Sequence, residues 1–448
     1  MDMAGMYTKP WLPTLQPWLE TRRFKTWQRY SAIAPSGLAN WQQKNLRNLL
    51  RHATTHSPYY EHVFQSISTN TFTREQLSTL PVTDRQTLQQ SSLPVTVTGL
   101  PDYAYRYRSG TSGTTGEPLH FFCAPYGAGI PSIHDLYHTN KLWRPLLWEG
   151  RTMASIKQMR RMQNTHRIMP DAPNQILVPP HSQSEGPEKT VQMLFDFEPE
   201  IISFYASFVM EIAHYVADHI KTPITIPYIL LNGERLHPEQ REFIESVFSG
   251  TTISRYGLEE CYWSIASETV GGNELIPYHE SAIIEIIDDK NRPCRVGEEG
   301  RVIVTNLANY VHPFIRYETG DRAIVTTLEP TLRFTITGRS MSLRFPSGNL
   351  SNNTVNRIMT PLINQIERYQ FQKTSDTELR ILLVPLSHFE SQITTMISDS
   401  IRQVLGTGVS VTIDKVSSIP RTERGKTTAF VDLSATTQPK RYEKNPMA

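Results

Sequence analysis

Two hydrophobic periodicities alternate along this chain of 448 residues, and they constrain its fold more than any other feature. Apolar residues recur every three or four positions from Leu46 to Ala53 and again along residues 209–220, which is the spacing of helices that turn one face toward a core. Residues 281–288 and 301–306 are β-rich and are bounded by turn-forming residues, as strands are. The sequence therefore predicts an α/β protein.

Composition and charge exclude several classes of protein. With 38% hydrophobic, 10% aromatic and 20% charged residues, the chain has the composition of a globular protein. Its length predicts about two to four folding units. A net charge of +2 gives no global electrostatic field, so nucleic acid is not expected as a partner.

Cysteine usage and the apolar stretches indicate where the protein works. Cys123, Cys261 and Cys294 stand far apart without a CxxC pair, which excludes a disulfide framework and a zinc-type pattern. The first residues show no basic region followed by an apolar run, and polar residues interrupt the most apolar long stretch, residues 201–217. We therefore expect a cytoplasmic protein without a membrane span, and its oligomeric state stays open.

The C-terminal part of the chain shows a self-contained strand, helix, strand pattern. Residues 378–385 have the composition of a strand, and residues 408–416 alternate apolar and polar side chains like a half-buried strand. Between them lies a helical stripe, with Ser387 and Glu390 spaced as a capping box at its start and Gly406 at its end. These elements predict a small, separate α+β domain.

Residues 109–118, SGTSGTTGEP, combine glycines with small hydroxyl side chains and cannot pack a core. Without Cβ atoms at Gly110, Gly113 and Gly116, backbone amides can close on an anion, and the hydroxyl groups can donate to phosphate oxygens. The run therefore indicates a phosphate-binding loop, while composition alone leaves a flexible surface loop as the alternative. It is not a P-loop, because no lysine follows its last glycine and the spacing differs.

Five motifs occur in order along the chain and resemble those of the adenylate-forming (ANL) ligases, the superfamily that joins a carboxylate to AMP before passing the acyl group on. They are SGTSGTTGEP at 109–118, RYGLEE at 255–260, FIRYETGDRA at 314–323, TGR at 337–339 and IPRTERGKT at 419–427. Further segments resemble the phenylacetate-CoA ligase branch, and most of all its CapK-type relatives of capsular polysaccharide biosynthesis. These segments are residues 56–60, 80–88, 204–213 and 366–372.

The resemblance implies a fold and an activity. The fold is a large multi-sheet N-terminal adenylation domain, residues 1–338, followed by a small α+β domain, residues 339–448, which rotates about a hinge near residue 341. The activity is that of an ATP- and Mg²⁺-dependent acid ligase. Such an enzyme forms an acyl-adenylate, releases pyrophosphate and then transfers the acyl group to CoA.

The resemblance also implies roles for individual residues. Glu260 would hold Mg²⁺, since hard cations prefer carboxylate oxygen, and Asp321 would accept hydrogen bonds from the ribose hydroxyls. Arg339 would contact ribose or phosphate as a planar donor of several hydrogen bonds, and Tyr256 could stack on the purine. The other implied nucleotide-binding residues are Ser109, Gly110, Thr111, Ser112, Gly113, Thr114, Thr115, Gly116, Gly233, Glu234 and Gly257.

Lys426, in the last motif, has the implied catalytic role in the first half-reaction. Its ammonium would bridge the substrate carboxylate and the α-phosphate while negative charge redistributes during in-line attack. After adenylation, rotation of the C-terminal domain would withdraw this lysine and present another face of the domain to the thiol.

Three positions depart from the motifs of the superfamily. The phosphate loop has Glu117 where a lysine is usual, and a carboxylate there would repel a triphosphate unless it points away. Neutralisation of the pyrophosphate would then come from Mg²⁺ or from elsewhere in the chain. Glu259 stands where a threonine is usual, and Met341 where the hinge usually has an acidic residue. A degenerate nucleotide-binding protein without turnover is therefore one alternative.

The sequence specifies the acid and its acceptor less closely. Tyr205, Phe208 and Tyr262 fall in segments that line the acyl pocket in relatives, which favours an aromatic or apolar acid. Aromatic residues at these spacings are as often core residues. Besides CoA, the acceptor could be an amine, a hydroxyl or the thiol of a carrier protein in secondary-metabolite or polysaccharide assembly.

Overall fold

The computed structural model describes the larger part of the chain. The described residues are 35–100, 107–110, 119–123, 153–156, 167–169, 172–178, 187–261, 264–279, 281–339, 342–362, 365–420 and 429–434. Within them the strands form five sheets, and helices and sheets give the mixed α/β architecture that the sequence predicts. None of the helices in this part of the chain combines the length and the apolar character needed to cross a lipid bilayer.

The first described element is helix α1 (Pro35–His56), which buries the apolar stripe that its sequence predicts. Leu46, Leu49, Leu50 and Ala53 are fully buried. Three shorter elements follow, namely helix α2 (Pro58–Val63), a 3₁₀ turn (Glu75–Thr79) and helix α3 (Arg85–Gln90). Their apolar residues share a core with Phe314 and Tyr317, so residues far along the chain close this N-terminal segment.

A hairpin and one large sheet follow. Strands β1 (Tyr107–Gly110) and β2 (His120–Cys123) pair antiparallel. The large sheet contains β3 (Met153–Ile156), β4 (Arg167–Met169), β5 (Ala172–Val178), β6 (Ile201–Tyr205), β7 (Tyr228–Asn232), β8 (Thr251–Gly257), β9 (Ser264–Ser267) and β10 (Ile276–Pro277). Their order in the sheet is β10-β9-β8-β7-β6-β3-β5-β4.

The middle of this sheet is parallel, from β5 through β3, β6 and β7 to β8. Helix α4 (Glu188–Phe197) precedes β6, helix α5 (Ala206–His219) connects β6 to β7, and helix α6 (Pro238–Phe248) connects β7 to β8. Parallel neighbours require such crossover helices. The apolar faces of these helices form one core cluster with the strands that they connect.

A second sheet is an antiparallel meander in the order β11-β12-β13-β14. Its strands are β11 (Ala282–Ile287), β12 (Glu299–Asn306), β13 (Tyr317–Thr327) and β14 (Arg333–Arg339). The first two are the β-rich segments that the sequence predicts as strands. Leu275 pairs with Phe334 and links this sheet to the end of the large one. The two sheets share a core cluster, so they form one body.

The C-terminal elements form their own sheet and core. The hairpin β15 (Ser342–Phe345) and β16 (Gly348–Ser351) leads into helix α7 (Asn352–Met359). The sheet has the order β19-β18-β17-β20. Its members are β17 (Ile366–Ser375), β18 (Glu378–Pro385), β19 (Ser410–Lys415) and β20 (Phe430–Asp432), with helix α8 (Gln392–Leu405) between β18 and β19.

One detail of the predicted C-terminal helix is wrong. Helix α8 ends before Gly406, as predicted, but it begins at Gln392 rather than after a capping box at Ser387. The backbone N–H of Glu390 donates to Gln365 Oε1 at 2.9 Å. Its carboxylate accepts from the side chain of Gln392. Glu390 is therefore engaged elsewhere, and the reciprocal capping bonds do not form.

Candidate functional site

Predicted nucleotide-binding segments lie together at one edge of the large sheet. The parallel strands β6, β7 and β8 end at Tyr205, Asn232 and Gly257. In the register, Tyr205 pairs with Asn232 and Asn232 with Arg255. Because parallel strands present their carboxyl ends at the same edge, the residues that follow them converge there. Ligands of open α/β sheets bind at such edges.

The chain turns sharply after β7, at Gly233 and Glu234. Gly233 has a φ of +69°, a left-handed conformation that glycine adopts without strain. The turn directs Glu234 toward the start of helix α5, where its Oε2 accepts a hydrogen bond from the backbone N–H of Ser207 at 2.7 Å. A carboxylate at this position satisfies a free N–H of the first helical turn and interacts favourably with the helix dipole.

Asp321 and Arg339 are direct partners across strands β13 and β14. Arg339 Nε donates to Asp321 Oδ1 at 3.2 Å, and the hydroxyl of Tyr256 donates to Asp321 Oδ2 at 2.8 Å. The Asp321 side chain is 9% exposed, whereas that of Arg339 is 49% exposed. Both oxygens of this carboxylate are therefore held in place, and the exposed guanidinium faces away from the core.

Tyr256 acts in the structure as a donor. Burial is the main cause that raises the pKa of its hydroxyl well above the ordinary value, with the charge of Asp321 adding to it, so the hydroxyl stays protonated. The ring is 9% exposed, and its edge meets the ring of Phe334 at 6.2 Å between centroids. Its predicted stacking on a purine stays a prediction.

Glu260 lies in a short 3₁₀ turn (Glu259–Cys261) and is 7% exposed. The hydroxyl of Tyr317 donates to Glu260 Oε1 at 2.8 Å, and the side-chain amide of Asn306 donates to the Glu260 carbonyl at 3.1 Å. Burial raises the pKa of the Glu260 carboxyl, and hydrogen bonds from its own backbone N–H and from Tyr317, together with the charge of Arg339, offset part of this rise. A buried carboxylate whose desolvation is incompletely compensated favours a nearby cation.

The hairpin that flanks the predicted phosphate loop is anchored beside Glu260. Strand β1, which ends with Ser109 and Gly110, lies next to the 3₁₀ turn that carries Glu260. On the other strand, the Phe122 carbonyl accepts a hydrogen bond from Asn309 Nδ2 at 2.9 Å. The strand that contains two of the predicted loop residues, Ser109 and Gly110, thus lies beside the turn that carries the predicted metal ligand. The others, Thr111, Ser112, Gly113, Thr114, Thr115 and Gly116, lie outside the described residues.

A cleft of about 570 Å³ opens between the two N-terminal sheets and the C-terminal elements. That volume is within the range of small-molecule sites. Its N-terminal wall includes the predicted residues Gly233, Glu234, Tyr256, Gly257, Asp321 and Arg339. Its C-terminal wall includes Asn352, Asn356, Tyr369, Ala429 and Phe430.

Direct contacts also join the N-terminal part of the chain to the C-terminal elements. Asn356 Nδ2 donates to the Thr337 carbonyl at 3.1 Å, and Arg368 Nη2 lies 3.6 Å from Glu211 Oε1. Gly338 lies where β14 passes helix α7, with a φ of +139°. A Cβ there would fall 1.9 Å from the side-chain amide of Asn352, which would have to move, and the positive φ would strain any other residue, so glycine suits this position.

The remaining predicted residues fall elsewhere. Lys426 and Tyr262 lie outside the described residues. Tyr205 is half-buried at the end of β6 and Phe208 is 1% exposed, and neither lines the cleft as described. Phe208 packs edge-on against Phe204 at 5.3 Å, because the apolar face of helix α5 turns toward the sheet. Phe208 is therefore a core residue, which is the alternative that helical spacing left open.

The structure adds a cleft-wall pair that the sequence did not indicate. Arg241 Nη2 lies 2.7 Å from both carboxylate oxygens of Glu268, and the backbone N–H of Ser254 donates to the same carboxylate at 2.7 Å. Arg241 and Glu268 are 27 residues apart in the sequence, and no local periodicity predicts that they meet. The sequence also indicated no role for the hydroxyl of Tyr317, although this residue lies within the motif at residues 314–323.

Comparisons with known proteins agree with this geometry. Residues 346–432 match the family model of the CapK C-terminal domain. Phenylacetate-coenzyme A ligase of Thermus thermophilus is 22% identical over 280 residues, which are 55% of this chain and 63% of that ligase. Protein CapK of Staphylococcus aureus is 24% identical over 221 residues, 48% of this chain and 47% of CapK. The match thus spans less than two thirds of either relative.

Solved structures extend the similarity to most of the chain. The 2-hydroxyisobutyryl-CoA ligase in its postadenylation state gives a TM-score of 0.67 at 16% identity and covers 90% of both chains. In its thioesterification state the TM-score is 0.57 at 17% identity, covering 90% of this chain and 91% of that one. The resemblance that the sequence motifs indicate is therefore confirmed at the level of the fold: the chain has the fold of these CoA ligases, and residues 346–432 match the CapK C-terminal domain.

Proposed function

We propose that this protein is an ATP-dependent acid–CoA ligase that works through an acyl-adenylate. The observation that carries the proposal is the cleft in which Asp321, Arg339 and Tyr256 face Ala429 and Phe430. Ala429 follows Lys426 by three residues. The implied ribose-binding carboxylate and the attachment point of the implied catalytic lysine therefore share one cavity.

The proposed reaction has two steps. A carboxylate oxygen of the acid attacks the α-phosphorus of ATP, the bond to the pyrophosphate oxygen breaks, and the acid becomes a mixed anhydride with AMP. The sulfur of CoA then attacks the acyl carbon, and AMP leaves with the electrons of the anhydride bond. The protein contributes positioning and charge stabilisation, as in other phosphoryl and nucleotidyl transfers.

The nucleoside would be held at the edge of the large sheet. Asp321 is a fixed acceptor, and its two protein donors leave lone pairs on both carboxylate oxygens for the ribose hydroxyls. Arg339 would supply further donors to ribose or phosphate from its exposed guanidinium. Gly233 and Glu234 would form the wall beside the base. Ser109 and Gly110 would start the phosphate loop of residues 109–116 at the Glu260 side.

The residues around Glu260 fit a magnesium ion that is shared with a nucleotide. Mg²⁺ keeps several waters and takes one or two protein carboxylates together with phosphate oxygens, so a single buried carboxylate beside the phosphate loop matches its demands. When bound, the ion would neutralise charge on the triphosphate. With Glu117 where a lysine is usual in the loop, that neutralisation matters more in this chain.

Lys426 would act from the C-terminal wall. Lys426 lies outside the described residues, but its tether to Ala429, which lines the cleft, is three residues long, and three residues of extended chain span at most about 10 Å. Strand β20 fixes this tether, since Phe430 pairs in parallel with Phe371 of β17. With the proposed domain boundary at residues 338/339 and the hinge near residue 341, β20 and Lys426 belong to the rotating C-terminal domain, while Arg339, the last residue of β14, stays with the N-terminal sheet.

The fold is more similar to the postadenylation state than to the thioesterification state of one ligase, with TM-scores of 0.67 and 0.57. The proposal that CoA is the acceptor rests on the similarity to the named CoA ligases. The proposal that the acid is aromatic or apolar rests on Tyr205 and Tyr262, since Phe208 packs in the core.

Acid-dependent exchange of labelled pyrophosphate into ATP tests the first step. A panel of aryl and apolar aliphatic acids should give exchange with at least one acid, and consumption of CoA with that acid should follow. Lys426→Ala should lower exchange about 100- to 1000-fold, the cost of removing one transition-state charge partner, while nucleotide affinity persists. Lys415→Ala is the matched control, because its ammonium lies over Phe389 at 4.6 Å within the C-terminal domain.

Other outcomes would assign other functions. Exchange without CoA consumption would indicate an amine, a hydroxyl or a carrier-protein thiol as the acceptor. Nucleotide binding without exchange for any acid would favour a degenerate protein that has lost turnover, and would reject the ligase.

A further inference from the structure

The hydroxyl of Tyr317 is the side-chain group that holds the carboxylate of Glu260. The two side chains meet at 2.8 Å between Tyr317 Oη and Glu260 Oε1. Both residues are buried, at 3% and 7% exposed. Resting on the proposed function, we propose that Tyr317 is a positioning residue that fixes Glu260 for the magnesium ion of the bound nucleotide.

The position of Tyr317 is fixed from several sides. The backbone N–H of Glu318 donates to the Thr83 carbonyl at 2.7 Å, and the backbone N–H of Thr83 donates to the Arg316 carbonyl at 2.9 Å. The ring of Tyr317 meets the ring of Phe314 edge-on at 5.1 Å. The hydroxyl therefore points at Glu260 from a rigid support, as a preorganised site requires.

That support continues into a buried ion pair. The guanidinium of Arg316 is 1% exposed and contacts both oxygens of Glu285 at 3.1 Å. Arg316 Nη1 also donates to the carbonyl of Ser78 at 2.9 Å and to that of Leu80. The segment that carries Thr83 is thus held against the strand that carries Tyr317. Residues 80–88, which the sequence links to the phenylacetate-CoA ligase branch, gain a physical role here.

A tyrosine suits this position better than a cation would. A neutral hydroxyl orients the carboxylate by one hydrogen bond and leaves its negative charge for the metal. A partner that orients a metal ligand typically contributes about 10- to 100-fold to metal affinity.

The test separates metal-dependent from metal-free nucleotide binding. Calorimetry measures the affinity for α,β-methylene-ATP, which cannot release pyrophosphate, first with EDTA and then with Mg²⁺. In the wild-type protein Mg²⁺ should tighten binding. Tyr317→Phe should leave the metal-free affinity within about twofold and reduce the gain from Mg²⁺ about 10- to 100-fold.

Two further variants separate positioning from folding. Tyr60→Phe is the matched control, because its hydroxyl is also buried and contacts the Pro313 carbonyl at 3.0 Å, close to the same strand but away from Glu260. It should keep the full gain from Mg²⁺. If Tyr317 acts through Glu260, adding Tyr317→Phe to Glu260→Gln should cause no further loss, as coupling in a double-mutant cycle requires.

The outcomes are distinct. An unchanged gain from Mg²⁺ in Tyr317→Phe overturns the proposal, and so does a further loss in the Glu260→Gln background. Equal losses with and without Mg²⁺ also overturn it, since they show a structural role. Failure of the wild-type protein to bind the nucleotide at all would reject the proposed function itself.

Discussion

Two arginine–carboxylate pairs on the same antiparallel sheet have opposite surroundings. Arg316 and Glu285 are 1% and 18% exposed, and the guanidinium donates through Nε to the carboxylate and through Nη1 to backbone carbonyls. Arg339 and Asp321 are 49% and 9% exposed, joined by Nε alone at 3.2 Å. The first pair is closed within the protein, whereas the second keeps donors at a cleft. The difference separates a pair that holds the fold from one that can hold a ligand.

The largest effect is expected from Arg316→Met. Removing one partner of a buried pair leaves the other charge uncompensated and costs about 3 to 5 kcal/mol. The free energy of unfolding from urea denaturation should fall by that amount. Arg339→Met is the matched variant and should cost less than about 1 kcal/mol, because its guanidinium is half-exposed. Similar losses for both variants would erase the contrast between the pairs.

The free energy of unfolding should also depend on pH, through the buried His312. Its ring is 5% exposed, Thr96 Oγ1 lies 2.9 Å from Nδ1, and Nε2 has no hydrogen-bond partner among the described residues. Burial lowers the pKa of His312 to about 4. Between about pH 4 and pH 6.5, His312 is therefore protonated in the unfolded state but not in the folded state. The free energy of unfolding rises with pH in this window and falls on acidification.

The expected size is about 3 kcal/mol between pH 7 and pH 4, from about 1.36 kcal/mol per pKa unit. His312→Gln should reduce the pH dependence of the unfolding free energy by about one proton in this window. The exposed His62→Gln is the control. A pH dependence that His312→Gln leaves unaltered would show that the native ring accepts the proton.

Next in size is the nucleotide affinity of the cleft pair, which rests on the proposed function. Hydrogen bonds to charged groups contribute about 1.5 to 3 kcal/mol, so Arg339→Met should weaken ATP binding about 10- to 100-fold. Arg316→Met, measured without Mg²⁺ and where it remains folded, should bind ATP with nearly unaltered affinity. If Arg316→Met weakened ATP binding more than Arg339→Met, the assignment of the first pair to the fold and of the second to ligand binding would be wrong.

Local patterns predicted the elements of both regions better than their contacts. The strand at residues 378–385 is found at its predicted bounds, and the stripe around Leu46 is buried as its spacing requires. Motif resemblance named Asp321 and Arg339, which the structure makes register partners. It gave no partner for Arg316 or Glu260, because each bond joins segments far apart in sequence. Such pairings depend on how sheets and helices stack, which periodicity does not encode.

The smallest effect is expected at a third pair, which joins helix α5 of the N-terminal part to the C-terminal sheet. Arg368 Nη2 lies 3.6 Å from Glu211 Oε1 on helix α5, with both side chains largely buried at 12% and 13% exposed. Arg368 also contacts its neighbour Glu367 at 2.8 Å, so its charge stays compensated when Glu211 is lost. Glu211→Gln should therefore lower the unfolding free energy by only about 1 kcal/mol.

The same change should favour separation of the C-terminal elements from helix α5, because only Arg368 in this pair belongs to the C-terminal sheet. Limited proteolysis of the connection between β14 and β15 should then run about fivefold faster, the factor that 1 kcal/mol gives in an opening equilibrium. Arg380→Ala is the matched control, since Arg380 pairs with Asp414 at 2.5 Å inside one sheet. Equal acceleration in both variants would mean that the pair stabilises the C-terminal domain itself. A loss as large as that of Arg316→Met would instead make the contact between the bodies part of one cooperative core, which leaves no weak interface about which the C-terminal domain could rotate.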